Sequence, residues 1–376
     1  MQYTEYELGE LLPFEQPTAY IVKSADYSDA YATPVLTAGK SFILGKTNET
    51  DDIFDQLPVI IFDDFTTATQ FVNFRFKVKS SAMKILHINT DLVIPKYIFY
   101  RLQIIQFDHS THKRYWIQSY SKIKVLIPPL DEQSRIVARI EELFSELDKA
   151  VDTLKTTKEQ LVVYRQAVLK EIFDSVSTTS VHIKDVCLDI KVGIVIKPTQ
   201  YYVSENGVPA FRNANVRRGY INDTDWVMIS KEGHQQNCRS EVHTNDVLIS
   251  RSGANLGMAS VVPARYNGYN AIDVVIAVPD MSKVIPEFLA QYTNSPMGRA
   301  IVKKNERGAA QGHLNVSAYA NLPIGVPDLQ EQEKLVKQIS DRLSVCDSIE
   351  KTVDTALAQA DAMWQSILKQ AFEGTL

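Results

Sequence analysis

The chain has 376 residues, of which 45% are hydrophobic and 23% charged, with three cysteines and a formal net charge of −5. That content excludes a disordered chain and a disulfide framework, and no apolar run approaches the roughly 18 residues a membrane helix needs. The opening Met1-Gln2-Tyr3-Thr4-Glu5-Tyr6-Glu7 has neither a basic nor an apolar region, so no secretory signal is read there and a reduced, cytoplasmic setting is expected.

Taken in chain order, the first elements are short. Leu8-Gly9-Glu10-Leu11 and Pro34 precede Gly39-Lys40-Ser41-Phe42-Ile43-Leu44-Gly45-Lys46-Thr47, which has the look of a phosphate loop. Five residues separate Gly39 from Gly45 where that motif needs four, and the Asn-Glu-Thr-Asp-Asp that follows lacks helical periodicity. An NTPase is therefore not expected. The apolar run Val59-Ile60-Ile61 predicts a strand. Asp63-Asp64-Phe65-Thr66-Thr67-Ala68-Thr69-Gln70 after it is either a satisfied turn or a contact surface. Val93-Ile94-Pro95 opens the next element. His109-x-x-His112 has no further ligand cluster around it, and His112-Lys113-Arg114-Tyr115-Trp116 is the most basic and aromatic stretch of this half.

From 131 to 174 there is no proline or glycine, and apolar residues recur every 3–4 positions. One seam reads Ile140, Leu147, Leu154, Leu161, Val168. The other reads Ile136, Leu143, Ala150, Thr157, Tyr164. This spacing predicts a coiled-coil helix of about 65 Å, at about 1.5 Å per residue.

The same landmarks then return. Ile183-Lys184-Asp185-Val186 and Pro209 lie at an offset of 175, Val247-Leu248-Ile249 at 188, and Val284-Ile285-Pro286 with Phe288 at 191. Residues 327–373 repeat 128–174 without a gap at an offset of 199: Glu132-Gln133 matches Glu331-Gln332, and Phe173 matches Phe372. The second helix carries a seam of Ile339, Cys346, Val353, Ala360 and Ile367, with Leu335, Ile349, Ala356 and Met363 beside it and Arg342 as a misfit. The expected architecture is α/β: two globular domains (1–127 and 176–326) joined by two long antiparallel coiled-coil helices (128–175 and 327–376), a pseudo-twofold tandem repeat. Paired that way, the rods would hold two diverged heads at opposite ends.

Charge resolved by segment locates a partner better than the total. Residues 181–325 hold 15 Lys+Arg against 12 Asp+Glu, residues 1–125 hold 13 against 14, and the acidity sits in the helices. Local basic faces, not net charge, bind phosphate.

Leu-Ile-Pro-Pro-Leu-Asp-Glu-Gln (126–133), repeated as Gly-Val-Pro-Asp-Leu-Gln-Glu-Gln (325–332), resembles the specificity subunit of type I restriction–modification systems. So do Gln-Ala-Val-Leu-Lys-Glu-Ile-Phe (166–173) with its echo at 365–372, Val-Pro-Ala-Phe-Arg-Asn-Ala-Asn-Val (208–216), Asp-Val-Leu-Ile-Ser-Arg-Ser-Gly-Ala (246–254) and Gly-Ala-Ala-Gln-Gly-His-Leu-Asn (308–315). The resemblance covers essentially the whole chain and is weaker over 1–125. It implies two target-recognition domains that read the halves of a split duplex DNA site. It also implies a helix pair that acts as spacer and docks two methyltransferase subunits. S-adenosylmethionine would sit on those partners, and separate restriction and motor subunits would cut. This chain would carry no catalyst, cofactor or metal. The rival reading is a coiled-coil adaptor whose heads bind protein.

Base reading calls for Arg or Lys toward guanine and Asn or Gln toward adenine. In the second head the candidates are Arg212, Asn213, Asn215, Arg217 and Arg218 in one loop, then Arg251 and Asn255, then Lys303, Lys304, Arg307, Gln311 and His313. In the first head they are Lys40, Lys46, Thr66, Thr67, Gln70, Lys113 and Arg114. The loop at 212–218 could equally be a solvated turn.

Overall fold

The computed structural model describes residues 3–38, 41–107, 114–176, 178–305 and 313–375. In the first head the strands are β1 (Thr4–Glu7), β2 (Phe14–Glu15), β3 (Thr33–Leu36), β4 (Ile43–Thr47), β5 (Val59–Asp63), β6 (Thr69–Val72), β7 (Lys77–Val78), β8 (Met83–His87) and β9 (Lys124–Ile127). Helices α1 (Leu8–Leu11), α2 (Pro95–Leu102) and α3 (Tyr115–Gln118) complete it, and α4 (Leu130–Asp174) follows. The second head runs β10 (Ser180–His182), β11 (Cys187–Val192), β12 (Tyr202–Val203), β13 (Val208–Phe211), β14 (Val227–Ile229), α5 (Lys231–Gln236), β15 (Val247–Ser250) and β16 (Ala259–Val261). It continues with β17 (Asn270–Ala271), β18 (Val274–Pro279), α6 (Pro286–Asn294), α7 (Pro296–Asn305), α8 (Val316–Ala320) and β19 (Pro323–Gly325), before α9 (Leu329–Glu373).

The two heads share one strand plan. One sheet is ordered β2-β8-β5-β6 in the first and β11-β18-β15-β16 in the second. The apolar runs of β5 and β15 sit inside those sheets and are buried throughout, which is why they read as unbroken hydrophobic stretches. A second sheet centres on β3, antiparallel to β4 and parallel to β7. Its counterpart centres on β13, antiparallel to β14 and parallel to β17. The first and last strands of each head close antiparallel, β1 with β9 and β10 with β19. Reciprocal capping boxes follow β1 and β10: the Glu7 N–H donates to Glu10 (2.7 Å), and the His182 N–H donates to Asp185 (2.9 Å).

Compactness divides the chain across its helices. Residues 1–154 with 355–376 form one unit, and 155–354 form the other. Each unit thus contains one head, part of α4 and part of α9, and within each the two helix segments run antiparallel. In the first unit, Phe144 packs at a tilt against Trp364 with ring centroids 3.9 Å apart, and Ile136 and Ile140 share a core with Leu368 and Ala371. In the second, Lys158 pairs with Asp354 (2.7 Å) and Arg165 with Asp347 (2.6 Å) and Glu350 (2.9 Å).

The leading seam lies where its spacing predicts. Ile140, Leu147, Leu161, Val168, Ile339, Cys346, Val353 and Ala360 are buried, and Leu154 and Ile367 are half-buried. In the companion seam Ile136 and Leu335 are buried and Leu143, Thr157 and Ala356 half-buried, but its other positions need correction by one residue. Tyr164, Ile349 and Met363 are exposed, at 45%, 40% and 51%, and Ala150 is exposed too. The residues that close the pair are Val137, Phe144, Val151, Lys158, Arg165 and Ile172 on α4, with Val336, Leu343, Glu350, Leu357, Trp364 and Ala371 on α9. Lys158, Arg165 and Glu350 break the apolar pattern, and their ion pairs within the second unit are the reason they are tolerated there. Arg342 lies off this seam, bonded to Glu171 (3.0 Å) and set over the Tyr164 ring.

Each head is seated on the helices by the same joint. Gln133, fully buried, accepts from the Ile94 N–H (2.7 Å) and donates to the carbonyls of Leu92 (3.0 Å) and Pro128 (2.9 Å). Gln332, also fully buried, accepts from the Ile285 N–H and donates to the carbonyls of Lys283 and Pro327, all at 2.8 Å. Each clamp fixes the turn before α2 or α6, helices that begin with proline at the first position, where its missing N–H costs nothing. The far end of the other helix completes the joint. Phe372 packs on Tyr97 (5.2 Å) in one unit and Phe173 on Phe288 (5.3 Å) in the other. These contacts explain why the Gln and Phe landmarks appear twice in the sequence.

Candidate nucleic-acid interface

In the second head two of the expected loops meet at Asn213, and the segment that follows the third joins them through Arg251. The Asn213 Oδ1 accepts from the Ser250 hydroxyl (2.9 Å) and the Arg251 N–H (2.7 Å), and its Nδ2 donates to the Ser252 hydroxyl (2.9 Å). The Asn255 amide donates to the Asn213 carbonyl (3.0 Å). Arg251 pairs with Asp273 (3.0 Å) and donates to the Leu314 carbonyl (3.1 Å), while the Leu314 N–H returns to the Arg251 carbonyl (2.9 Å). The segments around 213, 251–255, 273 and 314 therefore form one hydrogen-bonded cluster. Asn213, Arg251 and Asn255 are its frame.

Asn215 requires a correction. Its side chain is completely buried and satisfied by its own loop: Oδ1 accepts from the Arg212 N–H (2.9 Å), and Nδ2 donates to the carbonyls of Asn222 (3.1 Å) and Thr224 (2.9 Å). It cannot offer an amide edge to a base. Arg212 is likewise engaged, donating to the Asp225 carbonyl (2.5 Å). What the loop presents is its tip. Val216 bridges Ile221, the Arg217 N–H donates to the Tyr220 carbonyl (3.1 Å), and Gly219 takes φ +78°, where its N–H donates to the Ala259 carbonyl (2.9 Å). Glycine suits that left-handed turn because it has no Cβ to clash. Arg218 and Tyr220 are exposed there and Arg217 is half-buried. Gly253 and Ala254 are exposed in the neighbouring loop, with open space around Gly253. His313 is exposed just before Leu314. Lys303 and Lys304 fall on α7, and their side chains, like Arg307 and Gln311 as a whole, lie outside the described residues.

The first head builds the equivalent corner with reversed polarity. The Tyr115 N–H donates to the Asp64 carbonyl (3.0 Å), as the Leu314 N–H does to Arg251, so Asp64 stands in the place of Arg251. Asp64 pairs with Lys84 (3.3 Å), with both side chains buried, and accepts from the Trp116 N–H (2.9 Å). Asp63 closes the turn by accepting from the Phe65 N–H (2.9 Å) and the Thr66 hydroxyl (2.6 Å), while Thr67 sits at φ +58°. Of the two readings open for this segment, the carboxylates take the satisfied turn. Thr66 and Gln70 are exposed, Thr67 and Lys46 are half-buried, and Arg114 is exposed ahead of α3. Lys40, Lys113, His109 and His112 lie outside the described residues. Gly45 and Lys46 belong to a strand, and a Cβ at Gly45 would fall 2.9 Å from Tyr27, so no phosphate loop forms there. Among the described residues no cluster of three or more His, Cys, Asp or Glu could hold a metal, and no helix is long and apolar enough to cross a membrane.

A family model described as the type I restriction modification DNA specificity domain matches residues 2–161 and 169–359. The chain belongs to this family. Over 174 residues it is 45% identical to the type I restriction enzyme EcoR124I/EcoR124II specificity subunit of Escherichia coli, which covers 43% of each chain. The EcoBI specificity subunit of Escherichia coli is 27% identical over 274 residues, 66% of this chain and 58% of that one. The chain spans about half the length of the curated relatives it matches. Among solved structures, a chain from a type I R-M system aligns over 100% of this chain and 98% of that one, with a TM-score of 0.71 and 18% identity. The HsdS subunit from Thermoanaerobacter tengcongensis aligns over 100% and 97%, with a TM-score of 0.54 and 18% identity. At those identities the likeness is one of fold, and it extends over both heads and both helices of this family member.

Gln133 and Gln332 are landmarks in the sequence but not visibly clamps, although their exact repetition at the start of each helix is the available signal.

Proposed function

We propose that the chain is the non-catalytic, sequence-specific DNA-binding subunit of a type I restriction–modification complex, reading a bipartite duplex target with one half assigned to each head. The observation that carries this reading is a single strand plan built twice on repeated helices, with loop corners that differ in chemistry: Asp64–Lys84 in one head and Arg251–Asp273 in the other. A duplicated frame with diverged loops fits two different half-sites. The helix pair acts as spacer and as the docking element for two methyltransferase subunits, which bring S-adenosylmethionine, and for the restriction and motor subunits. The family membership supports that assembly, and the cytoplasm, where the host DNA lies, is its expected compartment.

The test is to assemble the chain with its methyltransferase, map the adenines methylated in host DNA, and measure duplex binding to the mapped site. Two short specific elements separated by an unspecified stretch are expected, and substitution of Arg217 or Tyr220 at the tip of the 217–220 turn should change preference in one of them only. A single continuous site, or equal damage to both halves, would overturn the assignment.

A further inference from the structure

Arg299 lies in the first turn of α7 with its Nη1 buried, and no hydrogen bond or ion pair among the described residues satisfies that atom. A buried charge left unpaired is destabilising, so its retention calls for a counter-charge from elsewhere. Arg218, exposed at the tip of the 217–220 turn, has no partner among the described residues either.

Hydrogen bonds tie these two residues into one corner. The Gly219 N–H donates to the Ala259 carbonyl, the Asn294 side chain clasps both peptide groups of Ala259 (3.0 and 2.8 Å), and the Arg299 N–H donates to the Ser295 carbonyl (3.0 Å). Both cations fall in stretches where the second head is longer than the first, since the repeat offset grows from 175 to 188 around Arg218 and from 191 to 199 around Arg299. Burial holds both guanidiniums below the usual arginine range, and for Arg299 the charge of Arg218 adds to that effect. Arg218, though not Arg299, also lines an open cleft of about 590 Å³ together with Arg217, Tyr220 and Gln291. Two acids on the other wall, Asp347 and Glu350, are already paired with Arg165, which leaves Glu287 as a third carboxylate at that cleft.

We propose that Arg218 and Arg299 form a clamp for one backbone phosphate of bound DNA. The proposal rests on the DNA-binding reading above and adds to it a residue that no family match assigns. Guanidinium forks suit the paired oxygens of a phosphodiester, and such a contact fixes register without reading sequence.

The test uses the full chain assembled with its methyltransferase and titrated with target and non-target duplex across a range of salt. Arg299→Met and, separately, Arg218→Gln are each expected to lower the slope of log affinity against log salt, and the two together by about one. Both duplexes should weaken by the same factor. Arg299→Met should also raise the melting temperature of the DNA-free assembly, because it removes a half-buried charge whose Nη1 is unpaired. Affinity and stability then move in opposite directions, whereas a residue that merely holds the fold would lower both. An unchanged salt slope overturns the clamp while leaving the DNA-binding reading intact, and a wild-type assembly that binds no duplex overturns that reading instead. Free phosphate is the other source of the same chemistry. If inorganic phosphate raises the melting temperature of the wild type but not of Arg299→Met, while the duplex slope stays unchanged, the site belongs to a free anion and the proposal fails.

Discussion

Asp64 and Arg251 each end a central strand, each accept the N–H of the segment that returns toward the long helix, and each neutralise their charge on a residue near the adjacent strand. Their opposite signs show how much chemistry the corner tolerates once it is balanced. Removing one partner of a buried pair leaves the other uncompensated, so Asp64→Ala is expected to cost roughly 3–5 kcal/mol. Asp64→Asn combined with Lys84→Met keeps an acceptor for the Trp116 N–H and strands no charge. It should cost much less than the two single changes added together, as read from denaturant unfolding in a double-mutant cycle. Simple additivity would mean that the pair is not a coupled unit. The same residues show where sequence reading fails. Asn213 and Asn215 have the composition of a base-reading loop, but amide side chains are also what a turn uses to satisfy its own backbone. Nothing in the string separates the two uses. Burial does, and it assigns Asn215 to the turn.

Among the elements, the long helices were the most legible in the sequence, down to the leading seam. Part of the companion seam is displaced by one position because an apolar pattern favours Tyr164 and Met363 and discounts charge. The true positions include Lys158, Arg165 and Glu350, tolerated because ion pairs cross the helix interface there. A polar seam specifies register at a cost in stability. Arg165→Leu combined with Glu350→Leu is therefore expected to raise the thermal midpoint by a few degrees and to loosen the pairing. Cysteine cross-linking between α4 and α9 segments of the second unit would then capture several registers where the wild type gives one. A fall in the midpoint would assign these ion pairs a stabilising role instead. The strands were legible only where they are central, as in β5 and β15. Two-residue strands such as β7 and β17 carry too little pattern to find.

For the molecule as a whole, the tandem order visible in the sequence and the compact units of the fold do not coincide, because antiparallel pairing gives each unit a segment of both helices. That arrangement makes helix length a shared property of the two units. Inserting one heptad into α4 after Leu154, with a matching heptad in α9 after Asp354, adds about 10 Å to each rod at about 1.5 Å per residue. The separation tolerated between half-sites is expected to grow by about three base pairs, at about 3.4 Å per pair, as read from methylation mapping. An unchanged separation would remove the spacer role.

The glutamine joints have an evolutionary consequence. Gln133 and Gln332 bond only to peptide groups, so the polar half of each joint is blind to the side chains of the turn it holds, and the apolar half asks for a single aromatic ring at Tyr97 or Phe288 against Phe372 or Phe173. A gene segment encoding an unrelated recognition surface could be grafted between these joints by recombination and still dock, provided its turn offers one N–H and one carbonyl in the same places and keeps that ring and the apolar face around it. New targets would then arise by shuffling whole modules that share one short docking turn.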